Sequence, residues 1–449
     1  MSFLFIQYLK LKNLTLNPAQ FLVVGFIFLI AIGTCLLKLP QATHDQVAWI
    51  DAWFMATSAV CVTGLSVINA GYDLTIFGQM VLLGLIQVGG LGFMTFSTIM
   101  MLVARKKLGF KEKILIKESL NQLSVDGVVE LVKKILVLTL AIEVIGGVVL
   151  AFFWWPQYNE QALYLGIWHA ISAFCNAGFD LFGGNSLVDQ KTSTTAMFVV
   201  IGALIVLGSL GFSVIDELIN WVKIRKLSFH TKVVLGMSLI LIILGTISLI
   251  VIEKNNHHTL GNASLVDTIT RSTFQSISLR TAGFSSIDLA KIETASGLMM
   301  ILLMFIGASP ASMGGGIKTT TALVLLVTIW TFLRDQKQVI LLKRTITEST
   351  VRKAMTVAIV GILMIFCSSM LILYFDHNQF LPVLFETTSA FATVGLSMGI
   401  TSDLSQTGKV VLILSMFAGR VGLLTIMFAL IKQKKTNLLE YPKAKILIG

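Results

Sequence analysis

Charge is what this sequence has least of. Only 13% of its 449 residues are Asp, Glu, Lys or Arg, and 55% are hydrophobic, whereas soluble domains carry about 25% charged residues. A chain so poor in polar groups cannot cover a water-facing surface, so its solvent is lipid and the soluble classes are excluded. Cysteine is scarce as well. Cys35, Cys61, Cys175 and Cys367 are scattered, with no CxxC pair, which excludes a disulfide framework and a zinc site. The histidines are equally dispersed, and the adjacent His257–His258 pair lies in a polar loop, where it cannot make a metal-binding helix face. The leader MSFLFIQYLKLKNLTLNP lacks a small-residue cleavage site, so no removable signal peptide is expected. It reads as a cytoplasmic leader or a short amphipathic segment on the inner membrane surface.

The charge that is present is lopsided, 34 basic residues against 23 acidic, a net +11. In a soluble protein that would suggest nucleic acid. Here most of the basic residues gather in the N-terminus, in the linkers 104–117, 223–232 and 334–353, and in the tail, all between apolar spans. That is the positive-inside bias of a membrane protein, so both termini and the linkers are expected in the cytoplasm, with lipid and not nucleic acid around the chain. Apolar stretches near 20–38, 79–103, 134–155, 195–222, 232–252, 297–332, 354–375 and 408–431 reach or approach the roughly 20 residues a span needs. The expectation is an all-α polytopic membrane protein of eight crossings.

A pattern recurs four times. Between the spans of each pair lies a shorter, half-polar segment: WFMATSAVCVTGLS (53–66), WHAISAFCNAGFD (168–180), TFQSISLRTAGFS (273–285) and LFETTSAFATVGLS (384–397). Each opens on a bulky residue, passes through serine and ends in a polar residue, a spacer, glycine, then Leu or Phe. The first copy is irregular, with Thr63 directly before its glycine, where Asn176, Thr281 and Thr393 stand two positions before theirs. The helix after each segment carries a small-residue mark: GGLGF (89–93), GSLGF (208–212), GGGIK (314–318) and GRVGL (419–423). The repeating unit is span, re-entrant segment, span, which divides the chain into pore units 1–117, 118–229, 230–350 and 351–449.

Non-helical backbone is tolerated at membrane depth only where it is buried in protein or lines a watery cavity. Four such loops most economically meet on a common axis, where inward carbonyls can replace the hydration shell of a cation. Glycine suits the turning point because it lacks a Cβ. The ion-binding candidates are Val62, Thr63 and Gly64; Asn176, Ala177 and Gly178; Thr281, Ala282 and Gly283; and Thr393, Val394 and Gly395.

These residues resemble the Trk/Ktr/HKT superfamily of potassium transporters, most closely the Ktr membrane subunits of the KtrB/KtrD type. The resemblance runs from Phe21 to the tail through all four loops, and the chain lacks room for the extra N-terminal helix pair usual in Trk-type relatives. It implies a pore-forming subunit of a bacterial potassium uptake system in the cell membrane, a homodimer paired with a cytosolic RCK-type nucleotide-binding ring (KtrA/KtrC type). No cofactor is implied; potassium is the substrate and sodium an activator. Serine at the first filter glycine goes with sodium transport in the superfamily, so glycine at all four positions implies potassium preference. A sodium or weakly selective monovalent cation pathway on the same fold remains the alternative.

The span at 297–332 is interrupted by GASPASMGGGIKTTT, 307–321. A Walker A reading fails because Ile317 separates glycine from lysine and an apolar span, not a strand, precedes it. A Ser309 or Ser312 pair with Lys318 would be conceivable chemistry, but no second member of an active site accompanies it, and no enzyme is expected. Pro310 and Gly314–Gly316 oppose a continuous helix, since Gly costs about 1 and Pro about 3 kcal/mol relative to Ala. An intramembrane loop that moves at low energetic cost is expected. The resemblance makes it the gate beneath the filter, with Gly314, Gly315, Gly316 and Lys318 in it, and makes Arg420 an electrostatic barrier; an arginine at this depth must face a cavity or a partner. Glu143 is expected to be buried beside a structural partner.

Overall fold

The computed structural model describes residues 18–92, 128–182 and 195–430. The N-terminal leader, the 104–117 linker, the unit boundary at 117/118 and most of the basic tail lie outside the described residues.

Four long helices set the frame: α1 (Pro18–Leu37), α4 (Val128–Tyr158), α8 (Phe229–Glu253) and α12 (Glu348–Asp376). Each is long and apolar enough to cross a membrane by itself, and only 28–39% of each apolar window is buried. They are therefore the outer helices, with side chains such as Phe152 on α4 and Val251 on α8 turned away from the protein. A short helix follows each: α2 (Trp49–Val60), α5 (Gln161–Phe174), α9 (Leu265–Ser278) and α13 (Phe380–Ala392). At 12 to 14 residues they are about 20 Å long, too short for a hydrocarbon core of about 30 Å. Unlike the long helices, α2, α5 and α13 are buried along most of their length, and α9 is buried toward its C-terminal end.

The last span of each unit is not one continuous helix: the third is interrupted as its sequence predicts, and the other three depart from the expectation of an unbroken span. α3 (Ile76–Leu91) ends at Gly92, φ 82°. α6 (Thr195–Leu210) bends by 106° into α7 (Phe212–Ile224), with Gly211 at φ 91°. In the fourth unit α14 (Gln406–Val421) gives way to α15 (Leu423–Leu430) at Gly422, φ 89°. In the third, α10 (Thr294–Phe305) and α11 (Thr319–Leu333) are separated by the whole 306–318 loop. The small-residue marks are thus helix breaks at positive φ, which L side chains resist. A short antiparallel hairpin, β1 (Ile340–Leu341) with β2 (Arg344–Thr345), joins α11 to α12.

Helix starts follow local chemistry. Thr75, Ser228, Ser264 and Ser405 each accept a hydrogen bond from a backbone N–H of the first turn, satisfying one of the donors that a helix N-terminus leaves unpaired.

Candidate functional site

Each short helix runs directly into one of the four triplets, and the triplets share one backbone pattern. The first residue is left-handed in every copy: Val62 (φ 55°), Asn176 (59°), Thr281 (71°) and Thr393 (50°). So is the third: Gly64 (97°), Gly178 (71°), Gly283 (78°) and Gly395 (90°). The irregular first copy is thereby placed in register, with Val62 and not Thr63 standing where the others carry Asn or Thr. Three β-branched residues held at positive φ are strained by about 1–3 kcal/mol each; full burial of all the first and second triplet residues supplies the packing that enforces this.

Serines on the short helices hold the triplets. Thr63 N–H donates to Ser58 O (2.8 Å), Ala177 N–H to Ser172 O (2.7 Å), Ala282 N–H to Ser278 O (3.0 Å) and Val394 N–H to Ser389 O (2.8 Å). Ser58 Oγ accepts from Gly64 N–H (3.1 Å) and Ser389 Oγ from Gly395 N–H (3.0 Å). Ser172 Oγ donates to Phe179 O at 2.7 Å, and Ser278 Oγ donates to Phe284 O. The sequence signalled these residues only as a serine somewhere in the middle of each segment.

The four glycines close a ring. A Cβ on Gly64 would lie 2.5 Å from Ala177 O and 3.1 Å from Gly178 Cα. On Gly178 it would lie 2.7 Å from Gly283 Cα; on Gly283, 2.7 Å from Val394 O; on Gly395 it would strike Thr63 O and come 2.9 Å from Gly64 Cα. Four main chains meet in cyclic order with no room for a side chain at the contact. The C-terminal ends of α2, α5, α9 and α13 all arrive here, and each helix contributes about −0.5 of an elementary charge at that end. The ring therefore sits in a potential that favours cations.

On its glycine side the ring opens into a cavity of about 470 Å³ lined by Gly64, Gly178, Gly283 and Gly395 together with Asp73, Asp180 and Asp288. Asp73 accepts from Asn69 N–H (2.7 Å) and Asp288 pairs with Lys291 (2.8 Å). The sequence reading missed these acids, although each follows its triplet glycine within nine residues.

On the other side lies the 306–318 loop. Its neck is closed by Gly307 N–H to Ile317 O (2.8 Å) and Thr319 N–H to Ala308 O (3.2 Å). Ser309 N–H donates to Ser209 O (3.1 Å), Met313 N–H to Gly208 O (3.2 Å), and Ala311 O accepts from Phe212 N–H (3.1 Å). Gly315 N–H donates to Thr393 Oγ (2.9 Å). Gly314 packs so closely on Thr281, and Gly316 on Ala392, that a Cβ at either would be crowded. Thr281 in turn hydrogen-bonds the Asn176 side chain (3.3 Å). The loop is thus bonded into its surroundings, which corrects the expectation of a segment that moves at low cost: displacing it breaks several bonds worth about 0.5–1.5 kcal/mol each.

Two side chains complete this arrangement. Met313, the large apolar residue between the loop's two ends at Ile306 and Ile317, is fully buried in the same apolar cluster as Val62, Cys175 and Ala177; the sequence reading passed over it. Arg420, near the end of α14, donates to Met313 O, Gly89 O and Gly90 O, the last at 3.1 Å. Its guanidinium fork therefore ties the fourth unit to the loop and to α3 of the first unit through carbonyls, not through a carboxylate. Lys318 Nζ donates to Gly314 O (2.7 Å), turned back into its own loop, while Ser312 Oγ donates to Ser309 O (2.6 Å). The partners of Glu143 are Gln87 and Cys175.

Comparison with known proteins places this geometry. A family profile described as "Cation transport protein", TrkH, matches residues 12–440. The chain is 38% identical over 440 residues to the Ktr system potassium uptake protein B of Bacillus subtilis, covering 98% of both chains. It is 36% identical to the potassium/sodium uptake protein NtpJ of Enterococcus hirae, covering 97% of this chain and 98% of that one. The crystal structure of the potassium transporter TrkH from Vibrio parahaemolyticus superposes with a TM-score of 0.74 at 17% identity, over 94% of this chain and 86% of that one, which is a likeness of fold.

Proposed function

This chain belongs to the TrkH family of cation transport proteins, not to an enzyme family, and from that premise we propose that it is the pore-forming subunit of a potassium uptake system. The observation that carries the reading is the closed ring of Gly64, Gly178, Gly283 and Gly395, open to an acid-lined vestibule on one side and covered by a bonded loop on the other. The triplets act as the selectivity filter. Carbonyl oxygens from four chains, rather than side chains, replace a cation's water, and the helix ends behind them stabilise the bare charge. The aspartates gather cations at the mouth. The 306–318 loop, with Met313 and the Arg420 contacts, is the gate.

The cell membrane places the vestibule outside and the basic linkers and termini in the cytoplasm. Inward movement is then driven by the inside-negative potential, about 2.3 kcal/mol per charge per 100 mV. Residues 1–117, 118–229, 230–350 and 351–449 are the four pore units. Regulation comes from a separate cytosolic RCK-type nucleotide-binding ring acting on a homodimer, with sodium as an activator; the naming of several relatives as parts of a Ktr system supports a multi-component assembly. The second reading, a pathway that also passes sodium, is favoured by the name of the Enterococcus relative.

The test is rubidium or potassium uptake against sodium uptake in liposomes holding this chain, with Gly283→Ser and a deletion of 311–317 beside it. Potassium-selective flux is expected, with selectivity lost in the serine variant, whose side chain has no room at φ 78°, and gating lost in the deletion. Folded protein that passes no cation, with or without an added ring partner, would end the transport reading.

A further inference from the structure

One buried carboxylate is not used by this pathway. Glu143 lies on α4, 2% exposed. Its Oε2 accepts from Gln87 Nε2 at 3.0 Å, and its Oε1 lies 3.8 Å from Cys175 Sγ. The same thiol is 3.5 Å from Gln87 Oε1, which closes the three groups into a cluster. Its position follows from backbone packing. A Cβ on Gly166 of α5 would come hard against Gly147 O, and one on Gly147 would lie 2.8 Å from Ile167 Cα. α4 can therefore lie directly on α5 and bring Glu143 to the end of it.

Each partner belongs to a different part of the pore. Cys175 immediately precedes the triplet Asn176–Ala177–Gly178. Gln87 lies on α3 just before Gly89 and Gly90, whose carbonyls receive Arg420. A Cβ on Gly90 would meet Cys175 Sγ at 2.8 Å, so the two parts also touch. A carboxylate at membrane depth is costly and is retained for what it contacts.

We propose that Glu143 is a positioning residue of the gate. It fixes the end of α3 against the second filter triplet, so that the Gly89 and Gly90 carbonyls stand where Arg420 needs them to hold the loop closed. The proposal rests on the 306–318 loop being the gate.

Rubidium flux through the full chain in liposomes tests it, comparing Glu143→Ala, Glu143→Gln and Gln87→Leu with wild type and with the 311–317 deletion. Glu143→Ala and Gln87→Leu are each expected to raise flux through the unstimulated protein about tenfold, the scale on which losing one or two buried hydrogen bonds acts. Neither should add to the deletion, because once the loop is gone its anchor has nothing to hold. Glu143→Gln still accepts from Gln87 and should keep flux near wild type, a rescue that a general loss of packing would not show. Three results would overturn the proposal: folded Glu143→Ala with wild-type flux, Glu143→Gln as leaky as Glu143→Ala, or an increase on top of the deletion. If Glu143→Ala does not fold, Gln87→Leu without a leak overturns it as well. Failure of the gate reading looks different, since the deletion itself would then leave a conducting protein unchanged.

Discussion

Arg420 does with one side chain what a salt bridge could not. A carboxylate partner would have neutralised it; three carbonyls leave its charge in place while using its fork to join α14, α3 and the loop. Lysine has the same charge but only a point-like ammonium. Arg420→Lys is therefore expected to separate two functions. If the residue acts mainly as a tie, the lysine variant should leak on the order of a hundredfold more rubidium than wild type, since it gives up two of three bonds worth roughly 1.5–3 kcal/mol each. Wild-type flux in that variant, with Arg420→Gln leaky, would show that charge alone blocks the path. His169 is a contrasting residue. Its Nδ1 donates to Leu165 O (2.7 Å), its Nε2 accepts from Leu181 N–H (3.3 Å), and its ring stacks on Phe182 at 4.5 Å. These partners define one neutral tautomer, and the imidazole braces the chain that leaves the second triplet.

At the scale of elements, the 306–318 loop is tied to the fourth triplet by the hydrogen bond from Gly315 N–H to Thr393 Oγ. Thr393→Val keeps the shape and removes the acceptor, leaving a buried N–H unpaired at a cost of about 1–3 kcal/mol in the closed state. The expected outcome is a higher resting flux with an unchanged potassium-to-sodium ratio, because the main-chain ring is intact. A changed ratio would mean that the threonine hydroxyl takes part in ion selection. The glycine breaks act on the same level. α6 and α7 can turn through 106° because Gly211 takes φ 91°, and the Pro310 and Ala311 carbonyls lie against that break, so the bend makes room for the loop.

At the scale of the molecule, the acids lining the cavity over the ring are expected to act as a field and not as a set of ligands. Asp73, Asp180 and Asp288 come from three different units and share one cavity over the ring. Attraction of this kind fades with salt, the Debye length falling from about 30 Å at 0.01 M to about 3 Å at 1 M. Asp73→Asn combined with Asp180→Asn should therefore slow uptake several-fold at low ionic strength and hardly at all at high ionic strength. An equal loss at both would point to direct coordination or to a misfolded mouth.

Much of this protein was already legible in its residues one neighbourhood at a time. Apolar length marks the outer helices, the four serine-to-glycine segments mark the triplets, and GASPASMGGGIK marks a span that cannot stay helical. All of these depend on contacts within a few residues, which adjacent amino acids determine. The register of the first triplet was not legible, because threonine beside Gly64 imitates the motif and only φ at Val62 shows which residue takes the strained position. Nor was the strength with which the loop is held, the burial of Met313, or the acid-lined mouth. The tie from Arg420 to Gly89 joins residues 331 apart in sequence, and the ring is closed by four segments from four different units. Such contacts exist only once the units pack around one axis, so tertiary structure alone decided the order of the ring, what closes it and what holds the closure.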